Sequence, residues 1–255
     1  MRLAVVGSGI SGMTAAWLLS SAHEVDVIEA ESRLGGHTHT IDLTVDGQSI
    51  TADTGFMVFN HRTYPNLVRL FDHLGISEQD ADMSFSVQHL ADGIEWRGDL
   101  GGLFAQPRNA LNPAFWGMLS DVLRLSRTSA TLLADPSIDT LTLGKLLERE
   151  GYGRAFIDWY LVPMGAAIWS TPAGSMLQFP AGTFLRFCDN HGLLHVTGKP
   201  QWKSVRGGAR RYTLALAERL SGQVRTGAPV VCVQRFEDRV ELGLEGGETL
   251  TYDGV

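Results

Sequence analysis

Cysteine and long apolar runs are both scarce in this 255-residue sequence. The two cysteines, Cys188 and Cys232, lie far apart with no paired spacing, which favours buried reduced thiols over a disulfide. No apolar run reaches the roughly 20 residues that a membrane-spanning helix requires. These absences predict a cytoplasmic protein. If the protein meets a membrane, we expect peripheral contact with its surface.

Positive charge and several catalytic motifs are also lacking. Lysine and arginine total 21 against 28 aspartate and glutamate residues, and the net charge of −7 argues against a nucleic-acid partner. The sequence contains no G-x-S-x-G nucleophile elbow and no G-x-x-x-x-G-K-[ST] phosphate loop. His37 and His39 alternate, but no acidic or cysteine cluster accompanies them, so we predict no metal site.

The glycine-rich start of the chain is the most informative pattern present. Residues 3–6 form a short apolar run typical of a buried strand, residues 7–12 read G-S-G-I-S-G, and a helix is predicted to about residue 21. A second strand at 25–28 leads to Glu29. This order of strand, glycine turn, helix, strand and acidic residue is the context in which G-x-G-x-x-G indicates dinucleotide binding.

The spacing of the three glycines in this motif has a mechanical basis in the backbone. Gly7 permits a tight turn, Gly9 lets the backbone approach a pyrophosphate, and Gly12 lets the helix pack close to the strand. The helix N-terminus offers free N–H groups to the phosphates. Glu29, about 20 residues on, is placed to accept hydrogen bonds from ribose hydroxyls. The predicted cofactor-binding residues of this stretch are Gly7, Ser8, Gly9, Ser11, Gly12 and Glu29.

The stretch that follows the second strand, residues 29–38, reads E-A-E-S-R-L-G-G-H-T. It resembles the second FAD signature of the flavin amine oxidase and phytoene desaturase superfamily, E-A-x-x-R-x-G-G-R/H. The resemblance implies FAD as the cofactor, with the glycine pair close to its pyrophosphate. Many relatives carry arginine where His37 stands, and a neutral histidine is a weaker phosphate partner. The binding residues implied here are Ala30, Arg33, Gly36, His37 and Thr38.

Two later stretches extend the resemblance. Residues 53–76 contain D-T-G-F-M-V-F, then Y-P-N, then L-F-D-H-L-G-I, a pattern similar to the phytoene desaturases in particular. In that superfamily the glycine-bearing segment passes near the flavin ring. Residues 227–233 resemble a strand whose valine backbone meets the adenine. The contacts so implied are Thr54, Gly55 and Phe56 at the flavin ring, and Val230 and Val231 at the adenine.

The predicted fold class is α/β. The resemblance implies a glutathione-reductase-like, Rossmann-type FAD-binding domain over residues 1–60 and 205–255, with a mostly helical substrate domain inserted at 61–204. In relatives a C-terminal FAD-binding segment follows. That segment has no counterpart before Val255, so we expect an incomplete FAD-binding domain and a catalytically incomplete chain.

Local patterns predict the elements of these domains. Asp46-Gly47 indicates a hairpin, and Pro163 is expected to end a helix that starts near residue 155. The segment from 200 to 212 is expected to lead directly into a helix. The other predicted helices cover residues 67–74, 113–133, 141–149 and 180–190, and the other predicted strands cover 84–89, 94–97, 230–233, 240–244 and 250–252.

The predicted function is that of an FAD-dependent oxidoreductase. A flavin accepts a hydride while the protein binds, orients and shields it, which explains the lack of an obvious acid–base pair and leaves the catalytic residues unassigned. The desaturase resemblance and the apolar middle section favour a small, apolar, lipid-like substrate oxidised at a carbon–carbon bond. The alternatives are a flavin amine oxidase acting on a carbon–nitrogen bond, a truncated non-catalytic FAD-binding fragment, and an NAD-binding protein. The last does not account for R-L-G-G at residues 33–36.

Overall fold

A computed structural model describes residues 1–99, 101–194, 198 and 200–255. The chain divides into two compact units. Unit 1 comprises Met1–Ala81 and Trp202–Val255, and unit 2 comprises Asp82–Gln201. We describe each unit by itself.

The elements are labelled in chain order across both units. The strands are β1 (Arg2–Val6), β2 (Glu24–Ile28), β3 (Thr40–Val45), β4 (Gln48–Asp53), β5 (Glu78–Ala81), β6 (Ser86–His89), β7 (Ile94–Arg97), β8 (Trp202–Val205), β9 (Val224–Arg225), β10 (Val230–Arg235), β11 (Val240–Leu244) and β12 (Thr249–Tyr252). The helices are α1 (Ile10–Leu19), α2 (Pro65–Leu74), α3 (Pro113–Ala134), α4 (Leu143–Arg149), α5 (Arg154–Phe156), α6 (Val162–Trp169), α7 (Ala173–Met176), α8 (Ala181–Asn190) and α9 (Arg210–Ala217).

A parallel sheet with strand order β1-β2-β9 forms the centre of unit 1. Leu3 lies opposite Val25, and the two strands run in register to their carboxyl ends. Helix α1 packs its buried Met13 and Ala16 on this sheet, in which β2 is buried from Val25 to Ile28 while β1 is buried only at Ala4. The predicted strand–helix–strand start is confirmed. The short strand β9, which pairs with β2, was not predicted.

The remaining sheets of unit 1 are antiparallel. β3 and β4 form the predicted hairpin, with Asp46 at φ 52° and Gly47 at φ 78° in its turn. β10, β11 and β12 form a meander. α2 ends at Gly75, in the left-handed conformation as expected for a C-terminal glycine, and packs its buried Phe71 beside Phe59.

One pairing in unit 1 differs from the sequence-based expectation. β5 pairs antiparallel with β8, so the segment before α9 contains a strand rather than leading directly into a helix. The residues of β5 are largely polar and carry no apolar alternation, so the pattern gave no strand signal. The pair is linked by the salt bridge from Lys203 to Asp80, with 2.7 Å between Nζ and Oδ1. As a result, residues 61–81 lie in unit 1, whereas the sequence assigned them to the insert.

Unit 2 is mostly helical, with the hairpin β6–β7 and two 3-10 turns, Pro107–Leu111 and Pro136–Thr140. Its core is rich in aromatic side chains. Three fully buried phenylalanines in this core are Phe115, Phe156 and Phe184. In the described part of the chain, no helix is both long and apolar enough to cross a membrane.

The predicted break at Pro163 is wrong. The chain stays helical from Arg154 to Trp169, because a π-helical turn, Ile157–Leu161, lies just before α6. A proline inside an α-helix has no N–H to donate, and its ring clashes with the carbonyl four residues earlier. In a π turn the hydrogen bonds join residues five apart instead of four. The N–H that Pro163 lacks and the carbonyl that its ring would meet therefore fall beside this turn, and the helix continues through Pro163.

Candidate cofactor-binding site

The loop between β1 and α1 has the geometry that its glycines predict. Gly7 has φ 97°, which favours glycine, and a Cβ on Gly12 would lie 2.0 Å from the carbonyl oxygen of Gly7. Gly12 is therefore required for the close approach of the helix to the loop. A Cβ on Gly9 would meet nothing within 4 Å, so the space beside Gly9 is open to a ligand.

The N-terminus of α1 lies beside this open space, since Gly9 is the residue that opens the helix. Gly9 is the N-cap, and in the described part of the chain no side chain caps the helix and no acidic residue lies in its first turn. The first N–H groups of a helix lack intrahelical acceptors and carry a partial positive charge. The loop can thus hold an anionic group.

Glu29 directly follows β2 and lies next to the same loop, with 7% of its surface exposed. Its carboxylate accepts hydrogen bonds from the Ser8 N–H at 2.7 Å, from the Glu31 N–H at 2.9 Å, and from the Ser8 hydroxyl. Burial by itself raises the pKa of the Glu29 carboxyl, but these hydrogen bonds outweigh it and hold that pKa below its ordinary value. Glu29 is therefore an anionic acceptor.

A second glycine loop, residues 33–38, lies against the first. Gly9 and Gly35 form a parallel β-bridge, and a Cβ on Gly36 would lie 3.1 Å from the Cα of Gly9. The Arg33 guanidinium donates to the carbonyl oxygens of Gly36 at 2.9 Å and Thr38 at 3.1 Å. Arg33 therefore stabilises the shape of this loop, because two of its guanidinium N–H groups donate to backbone carbonyls of the loop itself.

The two loops border a cavity of about 470 Å³ within unit 1, which we call the loop cavity. This volume lies in the range of small-molecule sites. The lining residues are Gly9, Ile10, Ser11, Gly35, His37, Thr38, Phe56, Tyr64, Leu67 and Tyr212. The structure thus brings together five of the predicted site residues, Gly9, Ser11, His37, Thr38 and Phe56, from three separate stretches of sequence.

Other predicted residues support the loop cavity without lining it, and some lie apart from it. Thr54 directs its hydroxyl to His39, with 2.9 Å between Oγ1 and Nδ1. A Cβ on Gly55 would lie 1.8 Å from the carbonyl oxygen of His37, so glycine is needed there for packing on the second loop. The residues outside the lining are Gly7, Ser8, Gly12, Glu29, Ala30, Arg33, Gly36, Thr54, Gly55, Val230 and Val231.

The two valines follow a segment that is bonded to the end of β2. The Ala228 N–H donates to the Glu29 carbonyl at 2.9 Å. Val230 opens β10, and the register of β10 against β11 shifts between Val230 and Cys232. Val231 is 67% exposed. Contact of these valines with an adenine stays a prediction.

Tyr212 is a site residue that the sequence did not reveal. It lies on α9 with 3% of its surface exposed, and its hydroxyl is hydrogen-bonded to the Thr38 hydroxyl. The start of α9 is held in place by Asp53, whose carboxylate accepts from the Ala209 N–H at 3.0 Å. Asp53 and Ala209 are 156 positions apart, so no local pattern relates them. Tyr64, which also lines the cavity, gave only the Y-P-N resemblance as a signal.

The residues around the loop cavity fit FAD. An uncapped helix start suits a pyrophosphate, and the space at Gly9 admits one. The Glu29 carboxylate, held anionic beside the first loop, is an acceptor of the kind that suits a ribose hydroxyl. Fold and site together define a Rossmann-type dinucleotide-binding protein.

Comparison with known proteins identifies the family. The model of the flavin containing amine oxidoreductases matches residues 10–255. This chain belongs to that family. Its members are FAD-dependent oxidoreductases, so the predicted family, cofactor and enzyme class are confirmed at this level.

Two curated relatives illustrate the range of the family. The flavin-dependent L-tryptophan oxidase of Lentzea aerocolonigenes is 26% identical over 277 residues, covering 100% of this chain and 57% of the relative. The zeta-carotene desaturase of Synechocystis sp. is 38% identical over 79 residues, covering 31% of this chain and 15% of that protein. The chain spans little more than half the length of the tryptophan oxidase.

Solved structures show the same fold. Cyclohexylamine oxidase from Brevibacterium oxydans matches with a TM-score of 0.70 at 19% identity, over 99% of this chain and 56% of that one. Putrescine oxidase bound to putrescine matches with a TM-score of 0.69 at 21% identity, over 99% and 57% of the two chains. The predicted α/β, Rossmann-type fold is confirmed.

Proposed function

We propose that unit 1 binds FAD at the loop cavity, and that the protein is an oxidoreductase that uses this flavin to oxidise a small apolar, lipid-like substrate. The observation that carries the proposal is the convergence of both glycine loops, Phe56 and the uncapped start of α1 on one cavity. Three stretches that are separate in sequence meet where one dinucleotide would lie.

Each part of the site has a proposed role. The N–H groups at Ser11 and Gly12 hold the pyrophosphate, and Glu29 accepts from the ribose. Gly7 and Gly12 set the shape of the first loop, and Arg33 with Gly36 sets that of the second. The remaining proposed contacts are Gly9, Ala30, His37 and Thr38 at the phosphate and ribose, Thr54, Gly55 and Phe56 at the flavin ring, and Val230 and Val231 at the adenine. Ser8, predicted as a contact, is buried and bonded to Glu29 instead. When bound, the flavin supplies the hydride acceptor.

Two observations bear on the substrate. The resemblance of residues 53–76 to phytoene desaturases, together with the similarity to a zeta-carotene desaturase, supports oxidation at a carbon–carbon bond. The similarity of the whole chain to an L-tryptophan oxidase and to the folds of two amine oxidases supports a second candidate, oxidation at a carbon–nitrogen bond.

The cofactor proposal is tested by titrating FAD into the protein and following flavin fluorescence. Gly9→Val fills the open space beside the loop, so we expect affinity to fall by at least about tenfold, the loss of roughly one charge-assisted hydrogen bond or more. Gly117→Val is the matched control, because Gly117 also has open space around its Cβ position but lies on α3 of unit 2. Equal FAD affinity in Gly9→Val and the unmodified protein would contradict the proposal.

The substrate classes are separated by anaerobic reduction of the FAD-loaded protein. A polyunsaturated hydrocarbon in detergent, a primary aliphatic amine and L-tryptophan are compared by loss of the flavin band near about 450 nm, a property of the cofactor. We expect bleaching with the hydrocarbon, and no bleaching with any of the three compounds would support the prediction that this chain is catalytically incomplete. Bleaching with an amine or amino acid alone would replace the first substrate class by the second.

The compartment is also a proposal. Cys188 and Cys232 are both unpaired; Cys188 is buried as predicted, whereas the prediction of a buried thiol is wrong for Cys232, which is exposed on β10. Exposed reduced cysteine is typical of a reducing compartment, which supports the cytoplasm. Redox-sensitive labelling of Cys232 in intact cells is the corresponding measurement, and a fully oxidised thiol would contradict this location.

A further inference from the structure

Ser8, the second residue of the first glycine loop, is fully buried and bonded on two sides. Its hydroxyl donates to Oε2 of Glu29 and accepts from the Gly35 N–H at 3.1 Å. Its backbone N–H donates to the same Oε2 at 2.7 Å. One side chain therefore links the turn after β1, the acidic end of β2 and the second glycine loop.

The two oxygens of the Glu29 carboxylate have different partners. Oε2 receives two hydrogen bonds from Ser8, and Oε1 receives one from the Glu31 N–H at 2.9 Å. The Ala30 backbone also stabilises the carboxylate by a hydrogen bond. Ser8 therefore engages Oε2 alone, and Oε1 is the oxygen that Ser8 does not contact.

We propose that Ser8 is a positioning residue for the cofactor: its hydroxyl fixes the Glu29 carboxylate and the Gly35 end of the second loop, so that a ribose hydroxyl meets a preset acceptor at Oε1. A site that is rigid before binding loses less conformational entropy when the ligand arrives. This inference rests on the proposed FAD function and adds a residue whose role is indirect, because Ser8 does not line the loop cavity.

The charged groups around Glu29 are directed elsewhere in the part of the chain that the structure describes. Arg225 accepts from the Glu29 N–H through its carbonyl at 2.8 Å, but its guanidinium pairs with Glu248. Glu31 contributes its N–H to the carboxylate. The protonation of Glu29 is therefore governed by burial and by these hydrogen bonds, of which Ser8 supplies two.

A double-mutant cycle on FAD affinity tests the proposal. Ser8→Ala removes the hydroxyl and keeps the backbone N–H, and we expect FAD affinity to fall about tenfold, as for one hydrogen bond to a charged group. In a Glu29→Gln background the same change should have a much smaller effect, because the carboxylate that Ser8 positions is gone. Ser129→Ala is the matched control, since Ser129 is a buried serine of unit 2 that donates to the Ser126 carbonyl.

A pH profile separates positioning from a general loss of structure. The folded pKa of Glu29 is depressed, so its carboxylate contributes above its ordinary pKa, about 4.3, and that contribution is lost as the pH falls through the lower folded value. FAD affinity should therefore fall on the acidic side of its pH profile, which we call the acid limb. Without the Ser8 hydroxyl the pKa of Glu29 should rise, so the acid limb should move to higher pH. Ser129→Ala should leave the limb in place.

The outcomes distinguish this inference from the function on which it rests. If the unmodified protein does not bind FAD, the proposed function fails. If it binds FAD but Ser8→Ala binds equally well, or if the two changes are additive with an unmoved acid limb, the positioning role alone fails. If Ser8→Ala does not fold, Ser8→Cys, with a weaker donor of similar shape, replaces it and is judged by the same coupling and the same limb.

Discussion

Units 1 and 2 bury different kinds of side chain. Among the residues that the structure describes, the buried polar ones of unit 1 are Ser8, Asp26, Glu29, Thr38, Thr40, Asn60 and Thr213, whereas those of unit 2 are Asn109 and Ser129. Both units have apolar cores, but that of unit 2 contains few buried polar groups among its described residues. Unit 1 therefore depends on paired polar groups between distant segments, and unit 2 depends on the volume that its core side chains fill.

Asp26 shows what the polar interior of unit 1 achieves. Its carboxylate accepts from the Gln223 N–H at 2.7 Å, from the Tyr252 hydroxyl at 3.0 Å and from Arg2 at 2.8 Å. One side chain on β2 thus fixes the approach to β9 and the end of β12. Such groups specify a single arrangement, because a misplaced segment would leave a buried charge unpaired.

The largest expected effect on stability comes from creating a cavity in the core of unit 2. Phe184 is fully buried, with its ring centroid 5.5 Å from that of Trp169. Phe184→Ala should lower the free energy of unfolding by about 3–5 kcal/mol. Urea denaturation followed by tryptophan fluorescence measures this loss. FAD affinity of the folded fraction should stay unchanged, because the proposed cofactor residues lie in unit 1.

The control for this variant is Leu90→Ala, since Leu90 is 82% exposed. It should be as stable as the unmodified protein. A loss of FAD affinity in folded Phe184→Ala would break the separation between the packing of unit 2 and the site in unit 1.

A smaller effect is expected from crowding the backbone of unit 1. A Cβ at position 12 would meet the Gly7 carbonyl oxygen at 2.0 Å, and neither backbone group can move away freely. Gly12→Ala should cost about 1–3 kcal/mol of stability and weaken FAD binding with it. Thermal denaturation with and without FAD measures both. Gly9→Ala, with no neighbour within 4 Å, should leave thermal stability unchanged, and equal stability losses in the two variants would refute the loop geometry.

The polar interior of unit 1 also predicts a response to alkali. Burial first, and then the hydrogen bond to the Asp26 carboxylate, raise the pKa of Tyr252 to about 12. The stability that comes from its protonated form is fully present below its ordinary pKa of about 10 and is lost as the pH rises towards 12. The free energy of unfolding, measured from pH 9 to 12, should therefore decline more steeply in the unmodified protein than in Tyr252→Phe. Parallel curves would contradict the Asp26–Tyr252 contact.

The smallest effect concerns the two thiols, one in each unit. Burial raises the pKa of the Cys188 thiol on α8 to about 12, while Cys232 is exposed on β10. A thiol reagent at pH 8 should modify one equivalent quickly, and Cys232→Ser should abolish that reaction. The second thiol should react only in denaturant. Rapid modification of both in the native protein would show that the core of unit 2 opens.

The contrast between local and long-range contacts within unit 1 explains what sequence reasoning recovered. The glycine loop was predictable because Gly7 and Gly12 are required by local backbone geometry, which leaves a mark at fixed spacing. The pairing of Thr38 with Tyr212 joins residues 174 positions apart and leaves no such mark. The polar strand β5 is held by β8 rather than by its own pattern, so it was missed.

The same limit applies to the insert. Pro163 is a strong local signal for a helix end, but the π turn before it depends on how the neighbouring side chains pack, which a single sequence does not show. Thr54 and Gly55 were assigned to the flavin by resemblance. The structure gives them contacts to His39 and His37, and their approach to a flavin stays a prediction.

The pairing of β2 with β9 has a consequence for how the molecule is made. Val27 lies opposite Val224, and unit 2 lies between these two residues in the sequence. The parallel sheet of unit 1 is therefore complete only after the ribosome has synthesised all of unit 2. Unit 2 is one continuous stretch, and compact stretches fold as units during synthesis. Closing a loop of that length also carries an entropic cost that local contacts avoid. During synthesis, unit 2 can therefore fold before β9 is available to pair with β2 and complete the parallel sheet.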